Sequence, residues 1–137
     1  MNDIYLLDAC ALVAFMKKEL GWDKVHSVFT DGAKEKAKVF IHEINLLEVY
    51  YGFRKERGRE YAEQTLNKTL EYFTVINGLT PEVFTEAGRF KSTYRISLAD
   101  AIALAQATAL NAKLLTCDHH EFDVVEPLED VEFLWIR

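Results

Sequence analysis

The sequence predicts an α/β fold, a three-layer α/β/α sandwich around a mostly parallel central sheet. Short apolar runs typical of strands recur along the 137 residues, and one or more helical segments separate each run from the next. Parallel strands need such crossovers, which cover the sheet with helices on both faces. Right-handed crossovers and short connections make the three-layer sandwich the simplest closure.

The strands are predicted from short apolar runs bounded by polar or turn residues. The first run, DIYLLD, ends on a carboxylate, and the run KLLTC is followed directly by Asp118. Five short strands are therefore expected. In chain order they are residues 3–8, 38–42, 74–76, 113–117 and 131–136.

The helices are predicted from apolar spacing and from end signals. Apolar residues from Trp22 onward recur at helical intervals. Thr80 followed by Pro81 marks a helix start, because Thr caps a helix well and Pro fits its first position. The predicted helices are residues 11–18, a helix from residue 22, then residues 44–58, 59–73, about 80–94 and about 97–110.

The last of these helices is expected to be the most buried segment. Ser97, with Asp100 three residues on, has the pattern of a capping box. The residues that follow are nearly all Ala, Leu or Ile, and a helix that is apolar on every side is buried. Asp100 thus begins a buried helix, while Asp118 follows the next strand. Ligand sites in open α/β sheets form just outside such strand ends.

Composition limits the class of protein. Half of the residues are hydrophobic and 28% are charged, as in a soluble globular protein of one domain, residues 1–137. No apolar run is long enough for a membrane span, and the first residues lack the basic region of a signal peptide. The two cysteines are expected to be free thiols in a reducing cytoplasm. The net charge of −6 disfavours nucleic-acid binding over the whole surface, but it permits a local basic rim.

Four acids lie in apolar sequence, at strand ends or on helices: Asp8, Glu48, Asp100 and Asp118. Each has a purely structural alternative, since Asp8 and Asp100 could be helix caps, Glu48 could be ion-paired and Asp118 could start a turn. Carboxylates that share one pocket repel one another and raise each other's pKa values. A divalent cation removes that penalty, and oxygen ligands favour Mg²⁺ or Mn²⁺ over zinc.

Two further groups are candidates for supporting roles. Asn45, one turn before Glu48, could hydrogen-bond Glu48 or a water on the metal. His119 and His120 are adjacent and lack a spaced set of Cys and His partners, so a surface loop is favoured over a zinc site. Glu121 beside them is a candidate auxiliary carboxylate.

Over essentially its whole length the chain resembles the PIN-domain family, in particular its single-domain VapC-like toxins. The resemblance rests on YLLDACALVAF, INLLEVYYG and ISLADAIALAQATALNAKLLTCDHHEF. It implies a three-layer α/β sandwich and a Mg²⁺-dependent endoribonuclease that hydrolyses phosphodiester bonds. It also implies that Asp8, Glu48, Asp100 and Asp118 form an acidic metal-binding and catalytic quartet, with Thr116 as the hydroxyl beside the last acid.

The resemblance further implies a cognate antitoxin protein and a homodimer. Two departures from the family pattern involve three positions. Ala9 and Cys10 stand where Ser or Thr and then Asn or Ser usually follow the first acid, and His42 replaces a small polar residue before the Glu-bearing helix. All four acids are retained, so we expect activity.

Arg54, Lys55 and Arg57 form the densest basic cluster and are candidate RNA contacts, although such runs are usually a solvated face. Enzymes that read RNA by sequence mostly bind unpaired loops, so a structured RNA with an exposed loop is the expected substrate. Two alternatives stay open. One is an RNA-processing or flap-type nuclease without an antitoxin, and the other is a catalytically silent binding module on the same fold.

Overall fold

Five strands alternate with helices in the part of the chain that the structure describes. The computed structural model describes residues 3–33 and 37–137. The strands are β1 (Asp3–Leu7), β2 (Ala37–His42), β3 (Thr74–Ile76), β4 (Lys113–Thr116) and β5 (Glu132–Trp135). The helices are α1 (Ala9–Lys17), α2 (Trp22–Ala33), α3 (Glu43–Arg57), α4 (Arg59–Tyr72), α5 (Pro81–Thr93), α6 (Leu98–Leu110) and α7 (His119–Phe122), with a 3₁₀ turn at Glu126–Leu128.

The strands form one parallel sheet in the order β3-β2-β1-β4-β5. The chain builds outward from β1 to β2 and β3, then crosses back to place β4 on the other side of β1. Leu7 lies opposite Leu115 in the pairing of β1 with β4. The predicted fold class is confirmed, and all the pairings among the described strands are parallel.

Alternate residues of the central strands fill two separate cores, one on each face of the sheet. Leu6 and Leu114 pack with α5 and α6, whereas Leu7 and Leu115 pack with α1, α2, α3 and α4. All four leucines are fully buried. This alternation follows from the two-residue period of a strand, and it produces the helix, sheet and helix layers.

Helix α6 has the ends that the sequence predicts. The Ser97 hydroxyl accepts a hydrogen bond from the Asp100 N–H at 3.1 Å, and Asn111 closes the helix in the left-handed conformation with φ of 51°. Every residue from 99 to 107 is buried, so the all-apolar pattern is correctly assigned to the interior. Among the residues described, no helix combines the length and the apolar character needed to span a bilayer.

The imidazole of His42 begins helix α3 in place of a small polar side chain. Its Nδ1 accepts a hydrogen bond from the Ile44 N–H at 3.1 Å. A neutral ring that accepts at Nδ1 carries its proton on Nε2, which therefore donates to the Gly78 carbonyl at 2.7 Å. The departure from the family pattern at this position keeps the cap and adds a tie to the loop before α5.

Candidate metal and active site

The predicted acids meet in one cavity at the carboxyl ends of β1 and β4. This is where the strand order reverses, the usual place of a ligand site in an open parallel sheet. The cavity has a volume of about 330 Å³. Five carboxylates line it: Asp8, Glu48, Asp100, Asp118 and Glu121.

Three of the five carboxylates lie closest together. Asp100, Asp118 and Glu121 each offer one oxygen within 4.8 Å of the others, a spacing that suits a shared cation. Asp8 and Glu48 line the same cavity outside this trio. Glu121 was expected only as an auxiliary group. The sequence does hold a signal for it, because an acid three residues after Asp118 matches the capping-box spacing.

Asp8 is both a helix cap and a member of the acidic cavity. It follows β1, and its Oδ1 accepts a hydrogen bond from the Ala11 N–H at 2.8 Å at the start of α1. Its Oδ2 accepts from the Thr116 hydroxyl at 2.5 Å, and the same hydroxyl accepts from the Asp118 N–H at 3.0 Å. Thr116 therefore holds the acids that follow β1 and β4 at a fixed separation.

Asp118 begins a short helix where the sequence predicted a loop. Its Oδ1 accepts a hydrogen bond from the Glu121 N–H at 3.1 Å, which closes one turn of helix, α7. A single turn is too short for a helical pattern to show in the sequence. The turn brings Glu121 back over Asp118 and so supplies the fifth carboxylate.

Helix α3 contributes Glu48 and a buried amide to the surroundings of the cavity. Glu48 is half-buried, and in the described part of the chain it makes no ion pair. Asn45 is fully buried and donates to the Ala99 carbonyl at 3.4 Å, so it joins α3 to α6 beside Asp100. Its Oδ1 has no partner among the described residues. The amide nitrogen of Asn45 thus contacts α6 and not Glu48, while a bond from Asn45 to a water on the metal stays a prediction.

Burial and repulsion by neighbouring acids favour the protonated forms of Asp8, Glu48 and Asp100. Burial raises the pKa of Asp8 to about 7 and, with repulsion from Asp8 and Asp118, that of Asp100 to about 8. The pKa of Glu48 is also raised, first by burial and then by Asp118 and Glu121. A cation bound by the ionised forms would reverse this preference. Because the donors are carboxylate oxygens, the site fits Mg²⁺ or Mn²⁺.

Comparison with protein families decides the assignment. The sequence profile of the PIN domain matches residues 5–126. The chain belongs to the PIN domain family. A comparison with curated proteins finds no match.

Solved PIN structures share this fold at low sequence identity. VapBC2 from Rickettsia felis, bound to a DNA fragment from its promoter, has a TM-score of 0.76 at 20% identity, covering 96% of this chain and 98% of that chain. DNA-bound VapBC from Salmonella typhimurium has a TM-score of 0.75 at 16% identity, covering both chains fully. VapC20 from Mycobacterium tuberculosis, a toxin described as cleaving the sarcin–ricin loop, has a TM-score of 0.58 at 16% identity, covering 80% of this chain and 86% of that chain.

The two cysteines of this PIN domain form a disulfide, so the expectation of free thiols is wrong. Cys10 follows Asp8 at the start of α1, and Cys117 follows Thr116 at the end of β4. Because β1 and β4 are adjacent and parallel, the Cα atoms of the two cysteines lie 5.9 Å apart. Cys10 also lines the acidic cavity. The cytoplasmic location loses its support from free thiols and stays a prediction.

The predicted basic cluster of the PIN domain lies outside the acidic cavity. Arg54 donates to the Tyr50 hydroxyl at 3.2 Å, and the Arg57 guanidinium lies 4.9 Å from the centre of the Tyr61 ring. Arg57 lines a different cavity, and Lys55 is exposed on α3. The role of these three residues in RNA binding stays a prediction.

We expect Mg²⁺ or Mn²⁺ to stabilise the protein more strongly at pH 8 than at pH 5. The folded pKa values of Asp8 and Asp100, about 7 and about 8, lie above the ordinary value of 3.8. The stability that these protonated acids provide is complete below about pH 4 and is lost as pH rises through their folded pKa values. A cation that binds their ionised forms restores that stability above pH 7.

Thermal unfolding followed by circular dichroism, with EDTA or with Mn²⁺ at each pH, measures this difference. A cation at one hundred times its Kd adds about 2.7 kcal/mol, or about 9 °C in Tm for a domain of this size. Asp100→Asn should reduce the gain, whereas Asp130→Asn, an exposed acid outside the cavity, should leave it unchanged. An equal gain at both pH values would contradict cation binding by these acids.

Proposed function

We propose that this chain is a Mg²⁺-dependent endoribonuclease that hydrolyses RNA phosphodiester bonds, and that it is the toxin of a toxin–antitoxin pair. Residues 1–137 would act as one nuclease domain. The observation that carries the proposal is the convergence of five carboxylates in one cavity at the switch point of the sheet. Mn²⁺ would serve the same oxygen ligands.

The chain's own residues would hold the cation and fix the geometry of the reaction. A bound Mg²⁺ supplies Lewis-acid stabilisation of the phosphate's added charge and lowers the pKa of water. Asp100, Asp118 and Glu121 would bind it, since their oxygens already lie within 4.8 Å of one another. Thr116 keeps Asp8 in place beside them. Glu48 makes no ion pair with any described residue, which leaves its carboxylate available to complete the cation's ligands.

One solved structure with this fold supports an RNA substrate. VapC20 from M. tuberculosis is described as cleaving the sarcin–ricin loop. This chain shares only 16% identity with it, so the likeness concerns the fold. An unpaired loop offers splayed bases and an accessible backbone, which a single compact cavity can reach. A structured RNA with an exposed loop is therefore the substrate class that we propose.

Helix α3 offers a path for the RNA strand away from the acids. Glu48 lies in its second turn, while Arg54, Lys55 and Arg57 lie near its end. With a rise of 1.5 Å per residue, Arg57 is roughly 14 Å from Glu48 along the helix axis. Basic side chains at that distance suit phosphates beyond the cleaved bond.

Cleavage of RNA should require both the cation and the acidic cavity. We expect purified protein to cut bulk tRNA or ribosomal RNA with Mg²⁺ or Mn²⁺, and EDTA to abolish the cutting. Asp100→Asn should lower the rate at least about a hundredfold, because even the partners of metal ligands cost 10–100-fold when changed. Gel electrophoresis and sequencing of the new RNA ends provide the measurement.

Asp130→Asn is the matched control, since it removes an exposed carboxylate outside the cavity and should leave the rate unchanged. Cutting that survives EDTA and Asp100→Asn would refute a metal nuclease. Cation binding without any cutting would favour the catalytically silent binding module. Specific trimming of one precursor RNA would favour the processing enzyme.

We infer that an antitoxin protein is the natural partner. The Rickettsia and Salmonella relatives are VapBC proteins, and a related structure from Klebsiella pneumoniae is described as a toxin–antitoxin complex. A cavity lined by five carboxylates offers a strong site for a basic side chain of a partner. Such a side chain would neutralise the acids and exclude the cation.

Expression of the chain alone should arrest bacterial growth, because a ribonuclease without its antitoxin depletes RNA. Co-expression of a neighbouring short open reading frame with a DNA-binding fold should relieve the arrest. Growth curves of cultures expressing the wild type and Asp100→Asn check the cause, since the variant should be harmless. Equal arrest by both chains would exclude RNA cleavage as its cause.

We also infer that the chain forms a homodimer through α5 and α6. A cavity of about 440 Å³ between these helices is almost wholly apolar. Leu79, Phe84 and Leu98 line it and are 44%, 68% and 60% exposed. Large apolar side chains grouped in this way favour a protein contact.

Phe84→Lys should weaken self-association at least about tenfold, because it places a charge in the centre of an apolar contact. Leu70→Lys, at a similarly exposed leucine on α4, should leave it unchanged. Sedimentation velocity over a range of concentrations measures the dissociation constant. A monomeric wild type would exclude the dimer.

A further inference from the structure

We propose that a second cavity, next to the acidic one, binds a nucleotide beside the cleaved bond and that Arg95 contacts its phosphate. The inference rests on the proposed function, because the ligand is the RNA substrate. The cavity lies between α7 and the connection from α5 to α6. Its volume of about 510 Å³ falls within the roughly 300–1,000 Å³ of pockets that hold small ligands.

The two cavities share a wall. Glu121 lines both of them and belongs to the carboxylate trio. Ser97 lines the acidic cavity, and Arg95 lines the second cavity only two residues earlier. Two residues of backbone span at most about 7 Å. A strand with its phosphate at the acids therefore has its next nucleotide at the second cavity.

Arg95 is the cation that this arrangement needs. Five carboxylates repel the phosphates of RNA, so a fixed positive charge beside them is required to hold the strand. Arg95 is the one Arg or Lys among the described residues lining the two cavities. It is exposed and, within residues 3–33 and 37–137, makes no hydrogen bond or ion pair.

The nearby Arg89 shows the contrast. Its guanidinium is held by Glu86 at 3.0 Å and by Glu129 at 2.8 Å, so its donors are already used. The donors of Arg95 have no partner in the part of the chain that the structure describes, and their planar fork matches two oxygens of one phosphate. Because Arg89 is already ion-paired, the phosphate contact is assigned to Arg95.

The rest of the second cavity suits a nucleobase. Val124 is 64% exposed and provides an apolar surface beside Tyr94. The Tyr94 hydroxyl donates to Glu129 at 2.5 Å, which holds the side chain in place. His120, also in the lining, offers a ring nitrogen to a base edge. Apolar and aromatic walls next to a cation are the usual surroundings of an unpaired base.

A binding experiment tests the phosphate contact separately from cleavage. All chains carry Asp100→Asn so that the RNA stays intact, and the probe is a fluorescein-labelled RNA hairpin with an unpaired loop of mixed sequence. Fluorescence anisotropy at several salt concentrations gives Kd and its salt dependence. We expect Arg95→Gln to raise Kd roughly tenfold, the usual cost of a lost charged hydrogen bond, and to reduce the slope of log K against log salt by about 0.7.

Two control variants fix the interpretation. Arg95→Lys keeps the charge and should keep the salt slope, while Lys68→Gln removes an exposed charge on α4 and should change Kd less than about twofold. Since Arg95 has no partner among the described residues, the Tm of Arg95→Gln should equal that of its parent. Unchanged Kd and salt slope in Arg95→Gln would overturn the inference, even where the wild type cleaves RNA.

The base contact has its own signature. Val124→Ser should raise Kd without changing the salt slope, because an apolar contact releases no counterions, and Leu128→Ser at an equally exposed position should do neither. If Arg95→Gln weakens only the binding of an antitoxin protein, the cavity is a protein site and the inference is wrong. If the RNA hairpin binds neither the Asp100→Asn parent nor any of its variants, the inference is overturned. If the hairpin binds as expected but the wild type does not cleave RNA, only the proposed function is overturned.

Discussion

The pairing of β1 with β4 is the contact on which the site depends. It places the residue after Leu7 beside Thr116, and one hydroxyl then bonds to both Asp8 and Asp118. The two strands are neighbours at the point where the strand order reverses, and in open parallel sheets a crevice forms outside the carboxyl ends of such strands. The opening between them is the cavity, and α6 and α7 complete its acidic wall.

The grouping of acids that would bind a cation also lowers the stability of the folded protein when no cation is bound. Five carboxylates in one cavity, two of them buried, destabilise the ionised protein without a cation. The surrounding structure offsets part of this cost, since the carboxylates of Asp8 and Asp118 accept helix-capping hydrogen bonds. For Asp8 and Asp118, helix capping and metal binding would therefore be two uses of the same carboxylate. The free energy stored in carboxylate repulsion is what a cation would release on binding.

Much of the fold and part of the site could be predicted from local signals. The caps of α6, the apolar runs of the central strands and the acid after each of them are readable because they depend on neighbours in the sequence. Glu121, the disulfide and Arg95 depend on contacts between distant segments or on a single helical turn. His42 is a related case, because its imidazole nitrogen caps α3 in the way that the side chain of a small polar residue would. Such contacts become visible only once the strand order is known.

The separation of the acids along the chain has a consequence for synthesis. Asp8 lies near the start of the chain, whereas Asp118 and Glu121 follow β4, the strand that inserts beside β1. A ribosome must therefore synthesise more than a hundred residues before the cavity can form, because β1 cannot pair with β4 until β4 has been made. Nascent chains that lack this strand can carry Asp8, Glu48 and Asp100, but not Asp118 and Glu121. The cavity therefore forms only after the chain has been synthesised through Glu121 and β4 has paired with β1.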